Sequence, residues 1–185
     1  MKKAIFLDRD GVINKVCYHY EQGIYSAKNL TEFELIEGVK EAIQKLKKMG
    51  FLIIVITNQP GFAFGYLKEE EVDKINEFMI QELDVDKIYT CKHHPHWTGD
   101  CNCRKPKSGL LVQAADELGI DIKNSYMVGD NISDLLAGKD CLKRIFIGQK
   151  RCDICKLFVE KGVSPDAIVL DLSEAALEIE KLENN

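Results

Sequence analysis

Short, unbroken apolar runs alternate along the chain with stretches whose apolar positions recur every three or four residues. Ala4-Ile5-Phe6-Leu7 is such a run, closed by Asp8-Arg9-Asp10-Gly11, and reads as a buried strand opening into a loop. From Val39 to Met49, the residues Val39, Ala42, Ile43, Leu46 and Met49 share one helical face, and Gly50 supplies the stop. Phe51 to Ile56 gives the strongest strand signal and leads directly into Thr57-Asn58-Gln59-Pro60-Gly61. Glu69 to Leu83 reads as a helix with Val72, Ile75, Phe78, Met79 and Leu83 facing inward. A strand over Lys87–Cys91 and a helix over Ser108–Leu118, stopped by Gly119, come next. Ser125 to Val128 is a further strand ending at Gly129-Asp130, followed by a helix from about Ile132 and a strand over Arg144–Ile147. The remainder fits a helix, a short strand over Ala167–Leu170, and a helix capped by Ser173 with Glu174 in its first turn.

Continuous apolar strands alternating with helices predict a doubly wound α/β fold, its mostly parallel sheet covered on both faces. Such sheets bind ligands beyond the carboxyl ends of their strands. Asp8-Arg9-Asp10-Gly11, Thr57-Asn58-Gln59 and Gly129-Asp130-Asn131 each follow a strand directly, so they are expected to share one rim. No repeat, low-complexity tract or Pro-rich linker interrupts the pattern, and residues 1–185 are expected to form one domain.

Composition narrows the class. With 45% hydrophobic and 30% charged residues, disorder is excluded as the main state. No apolar run approaches the roughly 20 residues a bilayer span needs. The N-terminus turns acidic at Asp8, too soon for the apolar stretch of a signal peptide. A cytoplasmic monomer without membrane association is the expectation. The net charge of −5 argues against nucleic acid as a partner, which calls for a basic footprint. Lys139, Lys143, Arg144, Lys150, Arg151 and Lys156, interrupted by acids and apolar residues, read as solvated surface. Seven cysteines, an odd number unevenly spaced, do not suit a disulfide framework.

Asp8 and Asp10, two apart at a strand end, join Asp130 in concentrating negative charge, which is unfavourable without a cation. Oxygen-only ligands suit Mg²⁺. A carboxylate can also attack phosphorus, splitting one hard displacement into two. Thr57 can offer a hydroxyl and a backbone N–H to a phosphoryl oxygen, and Lys105 can neutralise that group. One strand-end Asp is ordinarily a cap or turn residue. Three matching strand ends point to a site.

Cys91-Lys92-His93-His94-Pro95-His96 leads after a short turn to Cys101-Asn102-Cys103. Three thiolates and one imidazole make a closed tetrahedral set for Zn²⁺, structural rather than catalytic. The spacing leaves His93 and His94 as alternatives, with His96 the outside candidate; the bland reading is unpaired Cys and His in a flexible loop. Cys103 adjoins Arg104-Lys105, so a metal here would fix the loop that aims those cations. Cys152-x-x-Cys155 can be a redox pair or, with Cys141, half of a second metal site. The favoured expectation is plainer: Cys155 packs on the core and Cys152 faces solvent.

Phe6 to Asn14 resembles the first signature of the haloacid dehalogenase superfamily, in the DRDGxIN form typical of histidinol-phosphate and heptose-bisphosphate phosphatases. Val55 to Gly61 resembles the second motif, Cys103-Arg104-Lys105-Pro106 the third, and Met127 to Asp134 the fourth. The resemblance covers nearly the whole chain and implies a Rossmann-like fold. It implies Asp8 as nucleophile, Asp10 as the acid and base, and Asp8, the Asp10 carbonyl and Asp130 around Mg²⁺. Thr57 and Lys105 would clamp the phosphoryl group. Asn14, Asn58, Gln59, Arg104 and Asn131 would contact substrate, and Asp134 would orient Lys105 or a metal-bound water. These phosphatases carry a similar zinc loop, which selects His93. They often carry Lys directly after the fourth-motif Asp, where this chain has Asn131. Neither the segment between Asn14 and Phe33 nor that from Gly61 to Glu69 can hold a cap domain of the usual 50 residues or more. An open site rimmed by Tyr18, His19, Tyr20, Tyr25 and Trp97 is expected.

The implied substrate is a small phosphorylated compound: a sugar bisphosphate, D-glycero-D-manno-heptose 1,7-bisphosphate at C7, with L-histidinol phosphate as the rival. A non-catalytic zinc-stabilised binding protein is the alternative of another class, and gains little from buried carboxylates.

Overall fold

Ala4–Leu7 (β1), buried along its whole length, is the centre of the sheet in the computed structural model, which describes residues 1–21 and 23–184. Cys17–His19 (β2) and Gly23–Tyr25 (β3) follow as a short antiparallel hairpin. Then come Val39–Lys48 (α1), Leu52–Asn58 (β4), Glu69–Leu83 (α2), Lys87–Cys91 (β5), the single turn Pro95–Thr98 (α3) and Gly109–Leu118 (α4). Tyr126–Gly129 (β6), Ile132–Ala137 (α5), Lys143–Ile147 (β7), Cys152–Glu160 (α6), Ala167–Val169 (β8) and Leu172–Glu183 (α7) complete the chain.

Six strands pair in parallel in the order β5-β4-β1-β6-β7-β8. The chain starts in the middle, winds outward through β4 to β5, then returns to the other side of β1 as β6. That reversal opens a crevice at the carboxyl ends of β1, β4 and β6, the general ligand position of such sheets.

Side-chain alternation divides the core. Ile5, Leu7, Ile53, Val55 and Val128 pack with Val39, Ile43 and Leu46 of α1, Ile75 and Met79 of α2, and Ala176 and Ile179 of α7. Ala4, Phe6, Ile54, Ile56 and Met127 point the other way, onto Leu110, Leu111 and Ala114 of α4. Leu135 of α5, Phe146 of β7 and Phe158 of α6 form a third cluster, with the two Phe rings edge to face at 5.1 Å. Fully burying one such side chain stabilises the fold by about 1.5–3 kcal/mol. No described helix is long and apolar enough to cross a membrane.

The fold departs from the sequence pattern at several points. β4 runs two residues past the apolar run, carrying Thr57 and Asn58 on the sheet edge. The β2–β3 hairpin goes unsignalled because three-residue strands of mixed exposure give periodicity nothing to register. Ser173 does not cap α7. Asp171 does, accepting the Glu174 N–H at 2.9 Å, while Ser173 sits in the helix and donates to the Gly38 carbonyl. Asp171 and Glu174 hold the three-residue spacing of a capping pair, and Ser173 has no such partner. Cys155 does not pack on the core: Ile154 and Phe158, four apart, define the inner face of α6, which leaves Cys152 and Cys155 both exposed. Cys141 instead lies against the α4 side of the sheet, so the three form no common metal site. Lys143 and Arg144 pair with Asp166, Arg151 with Asp153, and Lys156 with Glu160, as solvated surface charges do.

Asp171→Ala should lower stability by about 1 kcal/mol through loss of the α7 cap, measured as a shift in the urea midpoint at unchanged slope.

Candidate active site

Backbone geometry sets the site before any side chain does. The Asp8 N–H donates to the Val128 carbonyl at 3.0 Å, extending β1 by one residue toward β6. The chain then folds tightly, with the Arg9 carbonyl accepting from Ile13 at 2.8 Å and the Gly11 N–H donating to Asn14 at 2.8 Å. Gly11 has φ +83°, and a Cβ there would fall 2.1 Å from Asp130 Oδ2. A side chain at position 11 would therefore strain the backbone and displace a carboxylate of the site.

Carboxylate oxygens of Asp8, Asp130 and Asp134 lie within 4.8 Å of one another. Lys105 enters this group from the loop before α4, buried, with Nζ 2.8 Å from Asp8 Oδ1, 2.7 Å from Asp134 Oδ1 and 2.9 Å from the Ile56 carbonyl. Asp134 is held from behind, since its Oδ2 accepts the Asn131 N–H at 2.9 Å while Asn131 Oδ1 accepts the Ser133 N–H. Burial pushes the Asp8 carboxyl up to about 8; Asp134 and Asp130 reinforce the shift and Lys105 opposes it. Burial and Asp134 likewise raise Asp130 to about 6, again against Lys105. The Lys105 ammonium resists burial and stays above its ordinary range because Asp8 and Asp134 flank it. One lysine does not neutralise three carboxylates. Two oxygens held at raised pKa beside a third are a donor set that fits a hard divalent cation.

Asp10 behaves oppositely. Burial alone would raise its carboxyl, but Arg9 Nη2, Asn14 Nδ2 and Gln59 Nε2 donate to it at 3.0, 3.0 and 2.7 Å and hold it below the usual range. Its carboxylate therefore stands outside the Asp8–Asp130–Asp134 group. Gln59 Nε2 also donates to Thr57 Oγ1 at 2.8 Å, linking the end of β4 to Asp10. Arg9 is fully buried, with Phe33 5.9 Å from its guanidinium carbon.

A cavity of about 610 Å³ opens over these groups, lined by Asp8, Asp10, Asn58, Arg104, Lys105, Asp130 and Asn131, with Val16, Ile24, Tyr25, Ser26, Pro60 and Ser133 completing the wall. Asn14 and Gln59, expected at the substrate, are fully buried behind Asp10 and aim it. Asn58 spends its amide on the Lys105 backbone, donating to the carbonyl and accepting the N–H, both at 3.1 Å. Of the expected rim, Tyr25 alone lines this cavity. Tyr20 bonds Glu21, His19 accepts the Glu21 N–H, and Trp97 packs edge-on to Phe64. Ile24 on the hairpin, and Val16 and Ser26 at its two ends, escaped notice because the hairpin did.

Cys91, His93, Cys101 and Cys103 form a second donor cluster beside this cavity. Five of the six separations among their Sγ and Nδ1 atoms are 3.2 to 3.8 Å: Cys103–Cys91 3.2, Cys103–Cys101 3.4, His93–Cys103 3.3, and Cys91 3.8 from both Cys101 and His93; all lie within 4.8 Å. A tetrahedron with metal–sulfur bonds of about 2.3 Å has edges of about 3.8 Å. The set can thus close around one ion with small adjustment. Burial pushes Cys91 up to about 12, so a thiolate there needs a positive partner. His94 stands outside the cluster; its ring accepts the His96 N–H at 3.4 Å and lies against Phe64. The Arg104 Nη1 donates to the His93 carbonyl at 3.1 Å, which ties this loop to the cation next to Lys105.

The sequence profile of the haloacid dehalogenase-like hydrolases matches residues 8–141. A D-glycero-beta-D-manno-heptose-1,7-bisphosphate 7-phosphatase of Pasteurella multocida is 46% identical over 148 residues, spanning 75% of this chain and 77% of that protein. A D-glycero-alpha-D-manno-heptose-1,7-bisphosphate 7-phosphatase of Campylobacter jejuni is 42% identical over 144 residues, spanning 74% and 76%. Among solved structures, D,D-heptose 1,7-bisphosphate phosphatase from B. bronchiseptica, complexed with magnesium and phosphate, superposes with a TM-score of 0.79 at 26% identity over 99% of each chain.

The raised carboxyls make a signed prediction. The folded protein keeps protons on Asp8 and Asp130 that the unfolded chain releases near pH 4. In chelator, the melting temperature should therefore fall as pH rises from about 4 toward 8. Added Mg²⁺ should oppose the fall, with its apparent affinity rising by up to about tenfold per pH unit between 6 and 8 as it displaces a proton. Differential scanning fluorimetry across that range checks both trends.

Proposed function

The chain belongs to the haloacid dehalogenase-like hydrolases and is a phosphoric monoester hydrolase, and from that premise we propose that it removes the C7 phosphate of D-glycero-D-manno-heptose 1,7-bisphosphate. The observation that carries the reading is the buried Lys105 ammonium bridging Asp8 and Asp134, with Asp130 beside them and Asp10 held separately on Arg9. It gives two carboxylates different roles from different surroundings, at the crevice of a chain whose relatives bear that activity in their names.

Asp8 is the nucleophile. Its carboxylate oxygen attacks phosphorus, the bond from phosphorus to the sugar oxygen breaks, and Asp10 gives the departing oxygen its proton. Asp10 then takes a proton from water as the water oxygen attacks the aspartyl-phosphate, freeing Asp8 and inorganic phosphate. A carboxyl held low suits the second step directly. The first needs a proton on it, and the phosphate charge that arrives with substrate favours one. Lys105 and the Thr57 hydroxyl hold the transferring group, while Asn58, Gln59 and Asn14 keep Lys105 and Asp10 in register. Asp8, the Asp10 carbonyl and Asp130 hold Mg²⁺, with Asp134 fixing Lys105 alongside. Bound there, Mg²⁺ offsets charge among the carboxylates and on the phosphoryl oxygens. Cys91, His93, Cys101 and Cys103 would hold Zn²⁺, and so joined would stiffen the loop that presents Arg104 and Lys105. One capless domain suffices, because a small substrate reaches an open cavity walled by the hairpin and the metal loop.

Phosphate release from the alpha and beta anomers of the heptose bisphosphate and from L-histidinol phosphate, assayed in parallel with Mg²⁺, tests the reading. A heptose bisphosphate should be strongly preferred, and Asp8→Asn should fold normally yet release no phosphate; preference for histidinol phosphate overturns the substrate. Elemental analysis of a Cys101→Ser, Cys103→Ser variant should show the loss of about one Zn²⁺ per chain, and unchanged zinc would refute the ligand set.

A further inference from the structure

Arg9 is fully buried, yet its guanidinium is spent on one carboxylate. Nη2 lies 3.1 Å from Asp10 Oδ1 and 3.0 Å from Oδ2, so a single nitrogen spans both oxygens. Nε and Nη1 have no hydrogen-bond partner among the described residues. Taking a cation out of water for one carboxylate, with two of its nitrogens unpaired, adds little to stability. Nor does Arg9 line the main cavity, although Asp10 does. The main chain of Arg9 is held as well: its N–H donates to Asp8 Oδ1 at 2.7 Å, and its carbonyl accepts from Val12, Ile13 and Asn14. The backbone is thus pinned at Asp8 while the side chain grips Asp10. One residue fixes the relation between the two strand-end carboxyls.

We propose that Arg9 is a positioning residue for bond cleavage: from outside the cavity it keeps the Asp10 carboxyl turned toward the oxygen that leaves phosphorus. The inference rests on the reading of Asp8 as nucleophile and Asp10 as acid. Asp8 forms the new bond to phosphorus, the bond from phosphorus to the sugar oxygen breaks, and the Asp10 proton passes to that oxygen. Because Nη2 is shared between the two carboxylate oxygens, a proton on one leaves Arg9 bonded to the other. Loss of the guanidinium keeps the nucleophile but frees the acid to turn away, and a misplaced donor loses its effect steeply. The consequence depends on what departs. A sugar alkoxide leaves badly without a proton. A nitrophenolate carries its own negative charge away, so an aryl phosphate has little need of the donor.

The test measures kcat/KM, which reports the first displacement, for the heptose bisphosphate and for p-nitrophenyl phosphate. It compares wild type, Arg9→Gln, Arg9→Lys and Asp10→Asn, with melting temperatures as a folding control. Arg9→Gln should lower kcat/KM for the sugar ester by about tenfold or more and for the aryl ester by less than about threefold. Arg9→Lys, which returns a cation to Asp10 and so folds even where the neutral variant does not, should keep a smaller split of the same sign. Asp10→Asn should split the two esters more deeply. If it does, equal losses on both esters in the folded Arg9 variants, or no loss, overturn the positioning role alone. An Asp10→Asn enzyme that treats the two esters alike overturns the acid assignment, and the role of Arg9 falls with it. Any alkyl phosphate that the enzyme prefers to the heptose bisphosphate can replace it, so a different substrate leaves the comparison intact.

Discussion

Three carboxylates brought to one sheet edge repel one another, and the structure answers with a single buried ammonium. Lys105 lies between Asp8 and Asp134, and its remaining contact is the Ile56 carbonyl at the end of β4. Those partners come from the loop after β1, from the first turn of α5 and from β4 itself, so the lysine cross-links the elements that flank the reversal in the sheet. Its attraction is strong because water is scarce there, and for the same reason either partner left alone would be costly. The neighbouring Arg9–Asp10 pair repeats the device with a fully buried guanidinium. Keeping the two pairs apart gives the two strand-end carboxyls opposite proton affinities.

Much of this could be read from the sequence. The buried strands announced themselves as apolar runs, and the polar tripeptides after them marked the rim. Spacing marked Cys91, Cys101 and Cys103 and left His93 and His94 open; the family resemblance selected His93, and the structure brings His93, not His94, to the sulfurs. What stayed illegible depended on side-chain direction. Asn14 and Gln59 sit in the motifs as a substrate contact would, yet both face backward onto Asp10. Asn58 is likewise absorbed by the Lys105 backbone. The hairpin gave no warning because three-residue strands have no period, and the cavity wall it forms was hidden with it.

The Cys/His loop and the crevice are mechanically one object. Cys103 is followed immediately by Arg104 and Lys105, and Arg104 reaches back to the His93 carbonyl. Asn58 grips the Lys105 backbone from the other side. The lysine is therefore fixed at its main chain by a β4 side chain and at its tip by two carboxylates. Rigidity of this kind spares the side-chain entropy that a long cation otherwise loses on engaging its target.

Asp134 serves two masters with its two oxygens. One starts α5 by receiving the Asn131 N–H, and the other faces the lysine. Gly129 packs so closely beneath it that a Cβ there would lie 2.3 Å from the carboxylate. Shortening, lengthening or neutralising this residue therefore disturbs a helix start and a buried charge together. Drift at position 134 has no gradual route, because this aspartate and the glycine below it are locked as a pair.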